Sequence, residues 1–458
     1  MVIRGEDPYA IIMLNQSFSA DNFRKIIDYE NRKGVYLEGR FFPLVAKITE
    51  DIKKLNSEIR EKKKQLGAAE FDEYKKTANE GKERLGGEKE ERLRAELQKV
   101  SERIVSRDFK FELRKNESIG DKPVYTVEDK PEYYFASKQL QHNFRRLYKV
   151  KQANRYAIVS QIKVLLNDKF PKYVIRTDVE DFYETIPHHK LLRKLYEDNL
   201  LTFLSKKIIR VILDDYRSKS GSNKGVPRGV GLSAYLAELY MRDIDSKIMA
   251  LPNVIYYARY VDDMIAIFVP SPDGRNPSID AIKEIVEEYS LSPNLAKTKE
   301  IDLTQKNASG EVQYLGYRMI VRGGKVEVRL TDKKINKYKT RIDLTLASYL
   351  NFSRINEKKA RKLLVKRMRF LTGNTRLLNN KKNVLVGIYY SNSLLTNDSD
   401  LQDIDTYLDD QISEIVKSPA LKLRLKKFRF VEGFQRKRYS SFATGELSEI
   451  ISAWQHNP

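Results

Sequence analysis

Residues 253–269, Asn253-Val254-Ile255-Tyr256-Tyr257-Ala258-Arg259-Tyr260-Val261-Asp262-Asp263-Met264-Ile265-Ala266-Ile267-Phe268-Val269, read as strand, tight turn, strand. β-Branched and aromatic residues fill both arms, and Tyr260-Val261-Asp262-Asp263 takes the bend. Upstream, Lys172-Tyr173-Val174-Ile175-Arg176-Thr177-Asp178-Val179 alternates like another strand, and helical segments at 188–216 and 232–249 lie between. Strands separated by helices in this way predict an α+β unit whose sheet is assembled from distant pieces of chain. A further strand is expected over 312–321, turning at Arg322-Gly323-Gly324-Lys325 into 326–330.

This arrangement puts Asp178 at a strand end and Asp262-Asp263 at a hairpin tip, places where a scaffold can hold several carboxylates together. If the strands are neighbours, like charges converge, which is unfavourable unless a divalent cation neutralises them. The chain has no Cys and four His, which removes disulfides, thiolate zinc sites and thiol nucleophiles and leaves little material for a His-built centre. Oxygen ligands alone select Mg2+ or Mn2+. Two such ions about 3.5–4 Å apart support in-line phosphoryl transfer. An Asp-Asp pair by itself is weak evidence, since Asp214-Asp215 and Asp409-Asp410 also occur and read as solvated helix ends or turns.

Across 458 residues, 85 Lys plus Arg against 63 Asp plus Glu leave a net charge of +22, which calls for a polyanionic partner. With 41% apolar and 32% charged residues the chain is globular rather than disordered. No apolar run approaches the ~20 residues of a membrane span, so no membrane association and a cytoplasmic location are expected. Apolar residues at Val45, Ile48, Ile52, Leu55, Ile59 and Leu66, then at Leu93, Leu97, Val100 and Ile104, predict a charged helical hairpin at about 45–110, with a softer stretch around Gly67, Gly81, Gly86 and Gly87. Near the end, Lys422, Arg424, Lys426, Lys427, Arg429, Arg436, Lys437 and Arg438 interleave with Phe428, Phe430, Phe434 and Tyr439. That pattern suits phosphates and bases, or equally the wet side of an aromatic core.

Five blocks stand in a fixed order: Ile175 to Tyr183, Gly225-Val226-Pro227-Arg228-Gly229-Val230-Gly231-Leu232-Ser233, Tyr260 to Asp263, Asn294-Leu295-Ala296-Lys297-Thr298-Lys299, and Gln313-Tyr314-Leu315-Gly316-Tyr317. In order and spacing they resemble the palm motifs of reverse transcriptases. The resemblance implies a right-hand polymerase: an N-terminal region at 1–125 carrying the hairpin, fingers and palm at 126–330, and a helical thumb and nucleic-acid-binding region at 331–458. It makes Asp178, Asp262 and Asp263 metal ligands, with the Val179 carbonyl as a further one. Lys297 or Lys299 becomes the lysine beside the leaving pyrophosphate. Tyr183 falls at the steric-gate position that favours deoxynucleotides, and Arg228, Gly229 and Ser233 flank the incoming nucleotide, with the glycines allowing close backbone approach. Leu315, Gly316 and Tyr317 correspond to the primer grip. Arg155, and second to it Lys151, resembles the cations that meet the triphosphate.

Within that family the resemblance is closest to the bacterial defence-associated class, on the block Arg228 to Ala234 followed by Leu236-Ala237-Glu238-Leu239-Tyr240. Arg369-Phe370-Leu371-Thr372-Gly373-Asn374 and Gly387-Ile388-Tyr389-Tyr390-Ser391-Asn392 look like the tail of the first polymerase of a type 3 antiphage system, which pairs two reverse transcriptases with a noncoding RNA. The resemblance therefore implies a noncoding RNA template, a DNA product, deoxynucleotides, a second reverse transcriptase and an oligomeric assembly as partners. The competing readings are a palm-fold polymerase or cyclase using ribonucleotides, and a non-catalytic RNA-binding scaffold.

Overall fold

Helices come first, as the apolar spacing requires. The computed structural model describes residues 14–119, 122–150, 153–271, 277–305, 307–377 and 384–454. Helix α1 (Ala20–Arg32) is capped by Ser19, whose side chain accepts from the Asn22 N–H. Helices α2 (Pro43–Gln65) and α3 (Ala68–Val105) form the charged hairpin. Leu93, Leu97, Val100 and Ile104 are buried along its seam. The softer stretch expected between the two stripes is helical instead. Only Gly67 breaks the chain; Gly81, Gly86 and Gly87 lie inside α3, where a glycine costs about 1 kcal/mol and good helix formers on either side absorb it.

The chain continues through β1 (Leu113–Ile119), β2 (Lys122–Val127), α4 (Pro131–Leu147), α5 (Arg155–Leu166) and β3 (Lys172–Asp178). The helical segment expected at 188–216 is two helices, α6 (His188–Glu197) and α7 (Phe203–Ser220). Thr202 sets the break, because its hydroxyl accepts from the Ser205 N–H and starts a new helix. Helix α8 (Ser233–Met249) leads into the hairpin β4 (Val254–Tyr260) and β5 (Asp263–Phe268), followed by α9 (Ile279–Glu288) and β6 (Lys299–Leu303). The expected strand at 312–321 is broken at Leu315-Gly316 into β7 (Ser309–Tyr314) and β8 (Tyr317–Arg322), and the Gly323-Gly324 turn then opens β9 (Lys325–Leu330). Leu315 at φ +47° and Gly316 at φ +77° reverse the chain between them. Helices α10 (Asp332–Ser353), α11 (Glu357–Thr372) and α12 (Ser399–Ile415) dominate the remainder.

By contacts the chain divides into two compact units, residues 1–151 with 183–241, and residues 152–182 with 242–458. The second holds a four-stranded sheet in the order β4-β5-β3-β6 and a three-stranded sheet β7-β8-β9, all pairings antiparallel. Ile158, Val159 and Ile162 of α5 pack with Val174, Ile265, Ile267, Met319 and Val328. The α+β class with antiparallel sheets is thus as expected. At the basic C-terminal end the three phenylalanines are core while Tyr439 is exposed: Phe430 is fully buried among Leu346, Leu364, Met368 and Leu401, and Phe428 and Phe434 pack against that cluster. The neighbouring cations form its wet side, with Arg429 paired to Asp409 at 2.6 Å and Arg438 donating to Thr372 Oγ1 at 2.8 Å. No described helix is long and apolar enough to cross a membrane.

Leu97 is completely buried in the hairpin seam, so Leu97→Ala is expected to destabilise the first unit by about 2–5 kcal/mol, read as an earlier transition in denaturant unfolding.

Candidate active site

Strand pairing in the second unit decides which acids meet. In the antiparallel register of β3 and β5, Asp178 stands directly opposite Asp263, and the Val179 N–H donates to the Asp262 carbonyl at 3.2 Å. The Asn294 N–H donates to the Asp178 carbonyl at 2.7 Å, which brings the segment carrying Lys297 alongside. Lys297 Nζ lies 3.0 Å from Asp178 Oδ2, whereas Lys299 is exposed on β6 opposite Arg176. Of the two lysines left open by the motif, Lys297 is the one at the acids. Arg176 donates through Nη2 and Nε to Asp263 Oδ1, at 2.8 and 3.2 Å.

The electrostatics follow from this crowding. Burial pushes the Asp262 carboxyl above its ordinary range, and the charges of Asp263 and Asp178 push it further. The hydrogen bond to Asp178 raises the Lys297 ammonium, so that lysine stays protonated. Among the described residues no group of three or more His, Cys, Asp or Glu is arranged around a metal position; basic side chains lie on the carboxylates. The donor set nevertheless suits a hard divalent cation. It is oxygen only, the repulsion that raises Asp262 is what a cation relieves, and Asp178 Oδ1 is buried with no hydrogen-bond partner. Asp178, Asp262 and Asp263 are the side chains that would hold such an ion, with the Val179 carbonyl next in the chain.

The hairpin tip is strained. Val261 sits at φ +62°, a region a β-branched residue rarely enters. Arg259 holds it there: Nη1 donates to the Val261 carbonyl at 2.6 Å, while Nε and Nη2 each reach an oxygen of Asp245 on α8 at 2.8 Å. The Tyr257 hydroxyl also donates to Asp245, at 2.8 Å, and the Tyr314 hydroxyl donates to the Asp263 carbonyl at 2.8 Å. Motif reading missed Asp245, Tyr257, Arg259 and Tyr314. The available signal was the two-residue alternation that puts Tyr257 and Arg259 on one face of β4, where a buried Arg demands a carboxylate.

Tyr183, Arg228, Gly229 and Ser233 belong to the first unit. Arg228 forms a two-point ion pair with Glu184, at 3.0 and 3.2 Å, and lies 5.2 Å over the Tyr183 ring. The Ser233 hydroxyl is buried and donates to the Pro227 carbonyl at 2.7 Å, closing the loop on itself. Gly229 has a reason beyond any ligand. At φ +94°, a Cβ there would stand 2.6 Å from the Tyr125 carbonyl of β2, while the Tyr125 N–H donates to the Arg228 carbonyl at 2.7 Å. The glycine thus lets this loop dock on the β1–β2 hairpin.

Arg155, expected at the triphosphate, donates through Nε (2.9 Å) and Nη2 to the Leu315 carbonyl and lies 5.3 Å over the Tyr317 ring. It is therefore part of the Leu315-Gly316-Tyr317 turn. Lys334 stands 4.6 Å over the same ring, its amine pushed down to about 7 by burial and then by Arg155 and Lys337. Lys151 lies outside the described residues.

Residues 130–319 match the reverse transcriptase (RNA-dependent DNA polymerase) family, and that stretch contains the three acids, Lys297 and most of the turn-holding network. No curated protein matches. Among solved structures, apo telomerase from Candida tropicalis truncated from its C-terminal domain is similar at 16% identity over 50% of this chain and 56% of that one, with a TM-score of 0.36. Telomerase from Candida albicans with a fragment of telomeric RNA gives 12% identity over 76% and 64%, TM-score 0.36, and apo telomerase from Candida tropicalis 13% over 75% and 64%, TM-score 0.38. This chain spans 56–64% of the length of those chains.

Because Arg259 sets the angle at which Asp262 and Asp263 are presented, Arg259→Lys, which keeps the charge and loses the fork, is expected to weaken Mn2+ binding about 10- to 100-fold. Calorimetric titration with Mn2+ measures this.

Proposed function

We propose that this protein, with a reverse transcriptase domain over residues 130–319, is an RNA-directed DNA polymerase that adds deoxynucleotides on a noncoding RNA template in antiphage defence. The observation that carries the reading is the acid cluster on β3 and β5 with Lys297 against it, inside the matched stretch. Two Mg2+ ions, with Mn2+ able to substitute, would supply the Lewis acidity that activates a 3′-hydroxyl and steadies the pyrophosphate. Asp178, Asp262 and Asp263 position the reacting groups around that charge. Lys297, kept protonated beside Asp178, carries a proton suited to the departing pyrophosphate.

Tyr183 acts as the gate against a ribose 2′-hydroxyl, and the Arg228 guanidinium over its ring, itself fixed by Glu184, limits how the ring can move. The Leu315-Gly316-Tyr317 turn, braced by Arg155 and Lys334, serves as the primer grip. Fingers and palm take residues 126–330, the thumb 331–458, and the N-terminal hairpin of residues 1–125 is a contact for RNA or a partner. The resemblance of the C-terminal blocks at 369–374 and 387–392 supports a cytoplasmic type 3 defence system as the setting, with the protein in a homo- or hetero-oligomer and a second reverse transcriptase as a partner. The +22 charge then has an RNA template and its DNA copy to neutralise.

Asp262→Ala with Asp263→Ala is expected to abolish incorporation of labelled deoxynucleotides on co-purified RNA while leaving RNA binding intact; continued synthesis by the double variant ends the reading. Supplying each labelled dNTP or NTP singly separates this from a ribonucleotide polymerase or cyclase. Tyr183→Ala is expected to lower the preference for dNTP over NTP by at least tenfold, measured as the ratio of incorporation rates, and an unchanged ratio removes the gate.

A further inference from the structure

Within the first unit, α1, α4 and the start of α8 enclose a half-open cavity of about 690 Å3, inside the ~300–1,000 Å3 range of ligand sites. Its ionisable lining is unbalanced: Lys25, Arg32, Lys33, Lys138, Arg145 and Arg146 face only two carboxylates, Asp28 and Glu30. Both acids are already engaged. Glu30 is buried and accepts from Lys33 at 2.9 Å and Lys138 at 3.2 Å, while Asp28 pairs with Arg24 outside the lining. Among the described residues Lys25 hydrogen-bonds only the Asn22 side-chain carbonyl, at 3.3 Å. Arg145 lies 5.8 Å over the Tyr29 ring. Arg32 and Arg146 make no ion pair with any described residue.

The uncompensated charge registers on its neighbours. The half-buried His142 imidazole, between these cations, is pushed down by burial and then by Arg145, Arg146 and Lys25. The Tyr29 hydroxyl is made more acidic, first by the neighbouring Arg145 guanidinium. Lys25, Arg32, Arg145 and Arg146 are exposed around one hollow and make it a positive patch that attracts a polyanion. Guanidinium forks from two helices give the geometry that recognises phosphate oxygens. The cavity also borders the glycine loop, since a Cβ on Gly231 would stand 2.8 Å from the amide of Gln141, a lining residue.

We propose that this cavity is a nucleotide-phosphate site formed wholly by the first unit, with Arg32 and Arg146 as its principal phosphate ligands. The phosphate can come from a free nucleoside polyphosphate or from a nucleotide of a bound RNA strand. The first source is independent of the polymerase reading, and the second rests on it.

The test uses the full chain in EDTA, where incorporation is impossible, with fluorescent ATP and a fluorescent four-nucleotide RNA as separate probes. Arg32→Ala with Arg146→Ala is expected to weaken at least one probe tenfold or more, and Arg32→Lys with Arg146→Lys to weaken it less. Loss of ATP binding identifies a free-nucleotide site, and loss of RNA binding alone identifies a strand site. Unchanged affinity for both probes overturns the proposal. A second measurement does not depend on how the variants fold. In the wild-type chain with labelled histidine, saturation by the probe that binds is expected to raise the pH midpoint of the His142 NMR signal, and a midpoint unmoved at saturation by that probe overturns the assignment. Because metal and chemistry are absent throughout, failure here leaves the polymerase reading standing, and failure of polymerisation leaves this result intact.

Discussion

The second unit is organised around repulsion between like charges. Pairing β3 with β5 in antiparallel register sets Asp178 across from Asp263 with Asp262 one residue away, an arrangement disfavoured in a partly buried setting. The surrounding chain supplies positive charge at each point: Lys297 on Asp178 and Arg176 on Asp263. Even so Asp262 remains raised and one oxygen of Asp178 has no partner. Carboxylates held together in this way are poor for stability and suited to a cation. The geometry of the strands, not any local preference, maintains them.

A second layer maintains that geometry. The tip of the β4–β5 hairpin needs Val261 in a left-handed conformation, which a free peptide avoids by about 1–3 kcal/mol. Arg259 offsets this by joining the Val261 carbonyl to Asp245 on α8, with Tyr257 on the same carboxylate and Tyr314 on the Asp263 carbonyl. The strain is stored at the residue directly before the acids. A similar economy operates at the Leu315-Gly316 turn, where one guanidinium, Arg155, satisfies a carbonyl and covers an aromatic ring. Both turns are held by arginines rather than by turn sequence alone.

Much of this was legible without coordinates. Two-residue alternation located β3, β4 and β5, the Gly323-Gly324 pair located the β8–β9 turn, and apolar spacing located the N-terminal hairpin. Misreadings share a cause: local signals were overridden by their surroundings. Gly81, Gly86 and Gly87 suggested a break, yet strong helix formers carried α3 through them. The apolar run 312–321 suggested one strand, but the turn at Leu315-Gly316, which Arg155 braces from α5, made it two. At Phe430 and Phe434 the pattern left stacking platform and core equally open, and packing with α11 and α12 makes them core.

By itself, then, the sequence determined the residue types and their order: acids at strand ends, a lysine in the right interval, a basic excess, and no Cys from which to build another kind of centre. Those are properties of the chain and survive any folding. Tertiary structure alone decided which groups touch. It set Lys297 rather than Lys299 against Asp178, set Arg155 against the Leu315 carbonyl, recruited Asp245 from a helix to hold Val261, and gathered cations from α1 and α4 around one cavity. Such choices depend on distances between residues up to 160 positions apart. Only closure of the whole chain brings those residues together, so no local pattern encodes them.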